Sequence, residues 1–306
     1  MTPIPSLRPM HRLSSRHVIG VAAAAAVMLV AVGCGGDDDS DVAAPAPSSP
    51  VVEDPGPVHV HGLGVNPKDG ALFIATHTGL FRAEAGSRPT RVAGRYQDTM
   101  GFTIVGPDRF LGSGHPDGRE KLPPFLGLIR STDAGDNWTP VSLQGKRDFH
   151  VLEAAGKHVY GFGTDFASRR AGFLVSSTGG ESWDERDVPE PLIALAIEPE
   201  DPDRIIASGE QGLSLSTDGG RRWRSLEGPA GLLAWTEDGL TVVDQDGAVH
   251  TATEPGKRLS SVGDVGEPPA ALDNGPNGEL YVALHDGAIK RSDDGGRNWT
   301  VRSKPD

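Results

Sequence analysis

Four copies of one short pattern constrain this chain more than anything else in it. They read Ser131-Thr-Asp-Ala-Gly-Asp-Asn-Trp138, Ser176-Ser-Thr-Gly-Gly-Glu-Ser-Trp183, Ser216-Thr-Asp-Gly-Gly-Arg-Arg-Trp223 and Ser292-Asp-Asp-Gly-Gly-Arg-Asn-Trp299. All follow S-x-D-x-G-x-x-W, with Thr178 replacing the acid in the second. Successive starts lie 45, 40 and 76 residues apart, the last being two periods of 38. A self-similar period near 40 residues, in a chain with 41 Gly and 25 Pro, is the signature of a propeller assembled blade by blade. The pattern has a structural explanation. Its Ser and Asp suit hydrogen bonds to backbone amides across a tight turn. Its glycine allows a left-handed backbone angle, and its tryptophan is a large apolar peg to set between sheets. None of its residues is taken as a site residue.

The stretches between the turns supply the strands. Leu192–Pro199, Arg204–Gly209 and Gly212–Ser216 form a strand grammar that recurs in His61–Pro67, Leu72–Thr76 and Gly79–Arg82, and again in Leu280–Leu284 and Gly287–Lys290. Blade starts fall near residues 58, 99, 147, 190, 230 and 268, which predicts an all-β, six-bladed propeller over 58–306. The first and fifth blades have lost the turn motif. The segment around Val51 and Val52 is a second way to complete the ring.

This register points to one mouth. The start of each innermost strand and the end of the next strand share a face. Overlaying the blades puts His61, Met100 and His150 at one level, and His77, Glu210, Gln245 and His285 at another, with His115 and Asp165 nearby. Of eight histidines outside the first 33 residues, five (His61, His77, His115, His150 and His285) map to this mouth, and His59 adjoins it. His158 and His250 do not. Neutral imidazole is the commonest side-chain metal ligand. Imidazoles with a thioether suit copper, and imidazoles with carboxylate suit zinc or iron. The expected ligands are therefore His61, His77, His115 and His150 with Met100, supported by His59, Glu210 and His285. Copper stands slightly ahead of zinc. A polar mouth that merely binds water is the plain alternative.

The N-terminus carries Arg8, Arg12 and Arg16, no acid in the first 33 residues, and an apolar run from Val18 to Val32 ending at Val30-Ala-Val-Gly-Cys34. That reads as a secretory signal over 1–33. The run is short for a membrane span. Cys34, the only cysteine, rules out a disulfide framework. The acidic and Pro/Ala/Ser-rich residues 34–57 read as a disordered tether. The formal charge of −13 becomes −16 once the three signal arginines are removed, which disfavours nucleic acid as a partner.

The turn pattern resembles the Asp-box, or BNR repeat, of sialidase-like propellers, in which the turn joins outer strands away from the mouth. The segment around Cys34 resembles a bacterial lipobox, with Ala31 where leucine is usual. That resemblance implies lipidation at Cys34 and an extracytoplasmic, membrane-anchored body. Further along, His59-Val-His-Gly-Leu-Gly64, Thr76-His-Thr-Gly-Leu-Phe-Arg82, Gly112-Ser-Gly-His-Pro-Asp117 and Asp148-Phe-His-Val151 look like a group of bacterial lipoprotein propellers, often labelled glycosyl hydrolases. The label rests on the structural turn, and fold does not license function. Sialidases of the resembled class need an arginine triad and a tyrosine nucleophile. Their F/Y-R-I-P motif is absent, Phe81-Arg-Ala-Glu84 lies on a third strand, and no aligned mouth position holds arginine. A glycoside hydrolase using mouth carboxylates, Asp117 and Glu210 first among Asp117, Asp165, Glu210 and Asp286, is the alternative function. A protein-interaction platform is the third.

Overall fold

The structure, a computed structural model, describes residues 54–304. Six four-stranded antiparallel sheets follow one another along the chain, each built from consecutive strands. Blade 1 comprises β1 (Val60–Val65), β2 (Leu72–Thr76), β3 (Gly79–Ala83) and β4 (Thr90–Arg91). Blade 2 holds β5 (Asp98–Gly106), β6 (Arg109–His115), β7 (Leu128–Ser131) and β8 (Thr139–Ser142). Blade 3 holds β9 (Arg147–Ala155), β10 (His158–Asp165), β11 (Ala171–Ser176) and β12 (Asp184–Arg186). Blade 4 holds β13 (Ala194–Ile197), β14 (Ile205–Gly209), β15 (Gly212–Ser216) and β16 (Arg224–Leu226). Blade 5 holds β17 (Gly231–Thr236), β18 (Gly239–Asp244), β19 (Ala248–Ala252) and β20 (Ser260–Asp264). Blade 6 holds β21 (Pro269–Asn274), β22 (Leu280–Leu284), β23 (Ile289–Ser292) and β24 (Thr300–Ser303). Among the described residues the one helical element is a 3₁₀ turn at Val92–Gly94, and no helix is long and apolar enough to cross a membrane.

The second strands carry near-continuous apolar runs because both of their faces are covered. β2, β14 and β22 are buried at every position. The core is accordingly six layers, one between each pair of adjacent blades. Blades 1 and 2 meet over Phe73, Phe102 and Phe110, and blades 3 and 4 over Tyr160, Phe173 and Ile205. Each motif tryptophan enters the layer between its own blade and the preceding one. Trp138 packs between blades 1 and 2, Trp183 between 2 and 3, Trp223 between 3 and 4, and Trp299 between 5 and 6. The two layers that receive no motif tryptophan are filled otherwise. Trp235 of β17 occupies the layer between blades 4 and 5, and Phe81 with Tyr281 that between blades 1 and 6.

The turns themselves behave as the sequence implies. Ser131 Oγ accepts from the Gly135 amide at 2.8 Å, and Asp133 Oδ1 accepts from the Asn137 amide at 2.9 Å. The turns at Ser216 and Ser292 repeat both bonds. In the second turn Thr178 substitutes for the acid, its Oγ1 accepting from the Ser182 amide at 3.0 Å. Each turn joins the third and fourth strands of a blade, on the face opposite the histidine mouth.

The ring closes without strand exchange. Blade 6 completes itself with β24, and Arg302 donates to the backbone carbonyls of Glu84 and Ala83 at 2.9 and 3.4 Å, tying the last blade to the first. Val51 and Val52, like the expected signal and residues 34–53 of the expected tether, lie outside the described residues. Residues 54–57 of that tether are fastened to blade 1. Thr78 Oγ1 donates to the Gly56 carbonyl at 2.6 Å, and Asp54 pairs with Arg91.

Candidate metal centre at the propeller mouth

Four of the innermost strands carry a register slip at the mouth, the one on β21 skipping Ala270, and the other three shape its polar cluster. The pairing register slips between Val60 and Gly62, between Thr99 and Gly101, and opposite Phe162 and Gly163. The residues skipped on the innermost strands are His61, Met100 and His150, those the blade overlay placed at one level. A bulge bends the strand and re-aims the extra side chain. His61 and His150 both line the mouth end of the axial channel, together with Ile193 of blade 4. The second strands end at the same face, immediately before His77, Glu210, Gln245 and His285, while His115 is the last residue of β6.

These side chains assemble into an alternating chain of imidazoles and carboxylates spanning blades 1 to 3. His77 Nδ1 lies 2.9 Å from Asp98 Oδ1, and His115 Nδ1 lies 3.1 Å from Asp98 Oδ2. His115 Nε2 is 3.4 Å from Asp148 Oδ2, which also takes His150 Nε2 at 3.1 Å. His61 stands edge-on to His77 with ring centroids 4.3 Å apart, and His59 is also edge-on to His77 at 5.3 Å. His59 reaches that position with a positive φ of 53°, an uncommon conformation for a residue with a Cβ.

Electrostatics set His61 and His115 apart. Burial, reinforced by the neighbouring His77, pushes His61 down to about 4, so its imidazole is neutral near pH 7 and able to ligate. His115 is raised by its hydrogen bond to Asp98 against the opposing effect of burial, and the charge of Asp148 adds to this. Burial opposes ionisation of Asp98, but hydrogen bonds from His115 and His77 outweigh it and hold that carboxyl below its ordinary value. Two buried polar atoms in this cluster, His61 Nε2 and Asp148 Oδ1, have no hydrogen-bond partner. Buried polar groups are rarely left unpaired, so these two call for an explanation.

Among the described residues, one set of three offers ligand atoms that all lie within 4.8 Å of one another: His61, His77 and Asp98. That spacing fits a single ion with metal–ligand bonds of about 2.0–2.2 Å after small side-chain adjustments. The structure thus brings His61 and His77 together with an aspartate that the sequence reading did not name. His115 and His150 join them through Asp98 and Asp148, as hydrogen-bonding partners and outside the three-residue set. Met100 is half-buried two residues beyond Asp98, and the convergent set forms without it. Glu210 and His285 sit exposed at the same mouth on blades 4 and 6, outside the cluster. The signal for the missed acids was present. Asp98 and Asp148 each stand two residues before the bulge position, in Asp98-Thr-Met100 and Asp148-Phe-His150.

Of the mouth carboxylates considered for hydrolysis, Asp117, Asp165 and Asp286 are engaged locally, while Glu210 is exposed. Asp117 is buried, takes Arg119 Nε at 2.9 Å and the Tyr96 amide at 2.8 Å, and is held far below the carboxylate range chiefly by Arg119. A general acid needs the opposite shift. Asp165 accepts from Ser168 at 2.8 Å, and Asp286 from the Ala288 amide at 2.8 Å.

Six four-stranded blades around an axis define a β-propeller, and the comparisons with known proteins agree on this class. No family model matches the chain, and no curated protein matches it. Among solved structures, a GH74 enzyme from Niastella koreensis superposes with a TM-score of 0.57 at 14% identity, covering 81% of this chain and 46% of that one. The GH74 xyloglucanase of Xanthomonas campestris gives 0.51 at 20% identity, over 80% and 45%. A chain of the nidogen/laminin complex gives 0.56 at 13% identity, over 77% and 93%. The chain therefore spans about half the length of the GH74 enzymes it matches. At these identities the likeness is one of fold alone.

Proposed function

We propose that this chain is an extracytoplasmic, lipid-anchored propeller whose mouth binds a transition-metal ion on His61, His77 and Asp98, without catalysing a reaction. The observation that carries the reading is the convergence of those three ligand atoms within 4.8 Å. The unpartnered Nε2 of His61 supports it, since a buried imidazole nitrogen with no hydrogen-bond partner can turn to an ion as its partner. Two imidazoles and one carboxylate suit zinc or iron(II) better than copper(I), so Asp98 in place of Met100 moves the preference from copper to zinc.

His115 is a positioning residue in this reading. Held between Asp98 and Asp148, it orients the ligand carboxylate, as outer hydrogen-bond partners of metal ligands do. The lipidated Cys34 rests on the lipobox-like segment alone.

Titration of the chelator-treated full chain with Zn²⁺, Cu²⁺ and Cu⁺ tests the reading. One zinc ion should bind per chain, and His77→Ala and Asp98→Asn should each abolish stoichiometric binding while the fold is kept. His115→Ala should weaken binding about 10- to 100-fold. No binding tighter than micromolar would sink the metal reading and return the mouth to a polar surface for a protein or glycan partner.

A further inference from the structure

The mouth face divides in two by charge. It is formed by the loops after the second strands and by the loops leading from one blade to the next, since the repeat turns occupy the opposite face. In blades 1 to 3 the loops 77–78, 92–97, 116–127, 143–146 and 166–170 carry four Arg and two Lys against two acids. In blades 4 to 6 the loops 187–193, 210–211, 227–230, 245–247, 265–268 and 285–288 carry seven acids and neither Lys nor Arg. The chain ends, at the boundary between blades 6 and 1, add Lys304 and Asp54, the latter paired with Arg91. Much of this charge is not neutralised within the chain. Lys121, Lys146, Arg170, Glu227, Asp246 and Glu267 are exposed, and none forms an ion pair among the described residues.

Exposed apolar surface gathers on the same face. Of the six exposed large apolar residues among those described, Val58, Tyr96, Leu122, Phe166 and Ile193 stand on its loops, and only Val301 lies elsewhere, on β24. Single exposed apolar residues need no explanation, but their concentration on one face beside unpaired charge marks a contact surface. The charge pattern is self-complementary. Two copies stacked mouth to mouth are related by a two-fold axis in the plane between them, and such an isologous contact pairs each patch with its counterpart across the axis. Laying the axis from the boundary of blades 3 and 4 to that of blades 6 and 1 sets blade 1 against blade 6 of the other copy, blade 2 against blade 5, and blade 3 against blade 4. Lys146, in the loop from blade 2 to blade 3, then faces Glu227, in the loop from blade 4 to blade 5. The loop of Arg95 likewise meets that of Glu267, the loop of Lys121 that of Asp246, and the loop of Arg170 that of Glu210. On the axis like meets like, and there the exposed side chains include apolar Ile193 and Val58, while Glu190 accepts from the Gln211 amide at 2.9 Å.

We propose that the mouth face binds a second copy of this chain, in a two-fold dimer where the basic half of each face covers the acidic half of the other. None of these charge pairs uses His61, His77 or Asp98, so the pairing is tested in chelator and stands apart from the zinc reading. Light scattering on the full chain, over a concentration series, measures it. The native chain should dimerise at low salt and dissociate as salt rises from about 0.01 M to about 1 M. Lys146→Glu/Arg170→Glu and Glu227→Lys/Glu267→Lys should each weaken association at least about tenfold, because like charges then face one another. Mixed in equal amounts, the two variants should recover a dimer, one acidic face against one basic face. Neither misfolding nor association through another surface would give that recovery. The proposal is overturned if the native chain stays monomeric up to about 1 mM, if either reversed variant dimerises as the native chain does, or if the mixture stays monomeric.

Discussion

Replacing Asp273 by asparagine should leave the protein unchanged below about pH 4 and stabilise it increasingly from there to above neutral pH. Burial pushes the Asp273 carboxyl up to about 7 from an ordinary value of 3.8. The folded state therefore holds this proton more tightly than the unfolded state. A carboxyl raised in this way adds stability in acid and loses it as pH rises from about 4 to about 7. At ~1.36 kcal/mol per unit, roughly three units set a ceiling near 4 kcal/mol. The channel opens to solvent at the mouth and screens part of that, leaving about 1–3 kcal/mol. For a body of this size, that is a rise in melting temperature of roughly 2–12 °C at pH 8.

Other titratable groups share the channel with Asp273. Glu153 approaches from β9, and Glu198, beside β13, is paired with Arg204 at 2.7 Å. His61 and His150 stand at the mouth end. Asp273→Asn also relieves Glu153, so Glu153→Gln added to it should bring less than its effect alone. The assay is thermal unfolding of native and variant chains, followed by tryptophan fluorescence at pH 5, 6, 7 and 8 with chelator present. The difference between the two chains isolates the channel from every other titrating group. A difference that stays flat across that range, or a variant less stable at pH 8, would refute the reasoning.

Two further outcomes concern the fold. Thr178→Asp restores the acid of the second repeat turn, where Thr178 Oγ1 alone accepts from the Ser182 amide at 3.0 Å; the charge-assisted bond should add about 0.5–1 kcal/mol, read as a higher denaturant midpoint. Trp183→Ala empties the layer between blades 2 and 3, where the indole packs against Phe149 with centroids 5.2 Å apart and donates to Ser142 Oγ at 2.9 Å. It should cost about 3–5 kcal/mol in chemical unfolding, and a loss under 1 kcal/mol would mean that this layer is not held by its peg.

Most of the architecture was legible in the sequence because the repeat turns sit at fixed places in each blade. Counting backwards from Ser216 finds β15 and β14, and from there the expected start near 190 falls close to β13 at Ala194. The same count works in blade 1, which has no motif, since Leu72–Thr76 is a buried apolar run with no other place to go. What lay beyond the sequence was the compensation for the missing motifs. Trp235 reads as one more apolar residue in a strand, and only the packing of blade 5 against blade 4 shows that it fills the layer left without a peg.

The site was less legible, and the reason is geometric. A strand read with strict alternation puts residues i and i+2 on one face, which would send Asp148 and His150 the same way as a simple pair. The bulge at His150 breaks that alternation and lets Asp148 turn inward, where its side chain is 4% exposed and reaches both His115 and His150. The same slip at Met100 frees Asp98 to stand between His77 and His115. Histidines were conspicuous by type and count, whereas the two aspartates among 42 acidic residues were marked only by standing two residues before Met100 and His150, a spacing that gained meaning once the blades were closed into a ring. Yet those two acids link the imidazoles into one cluster. Without Asp98 the mouth is a set of imidazoles with a thioether nearby, a copper-like environment; with it, the convergent donors are two nitrogens and an oxygen. The bulges therefore do more than bend three strands. They bring Asp98 beside His61 and His77, and Asp148 beside His115 and His150.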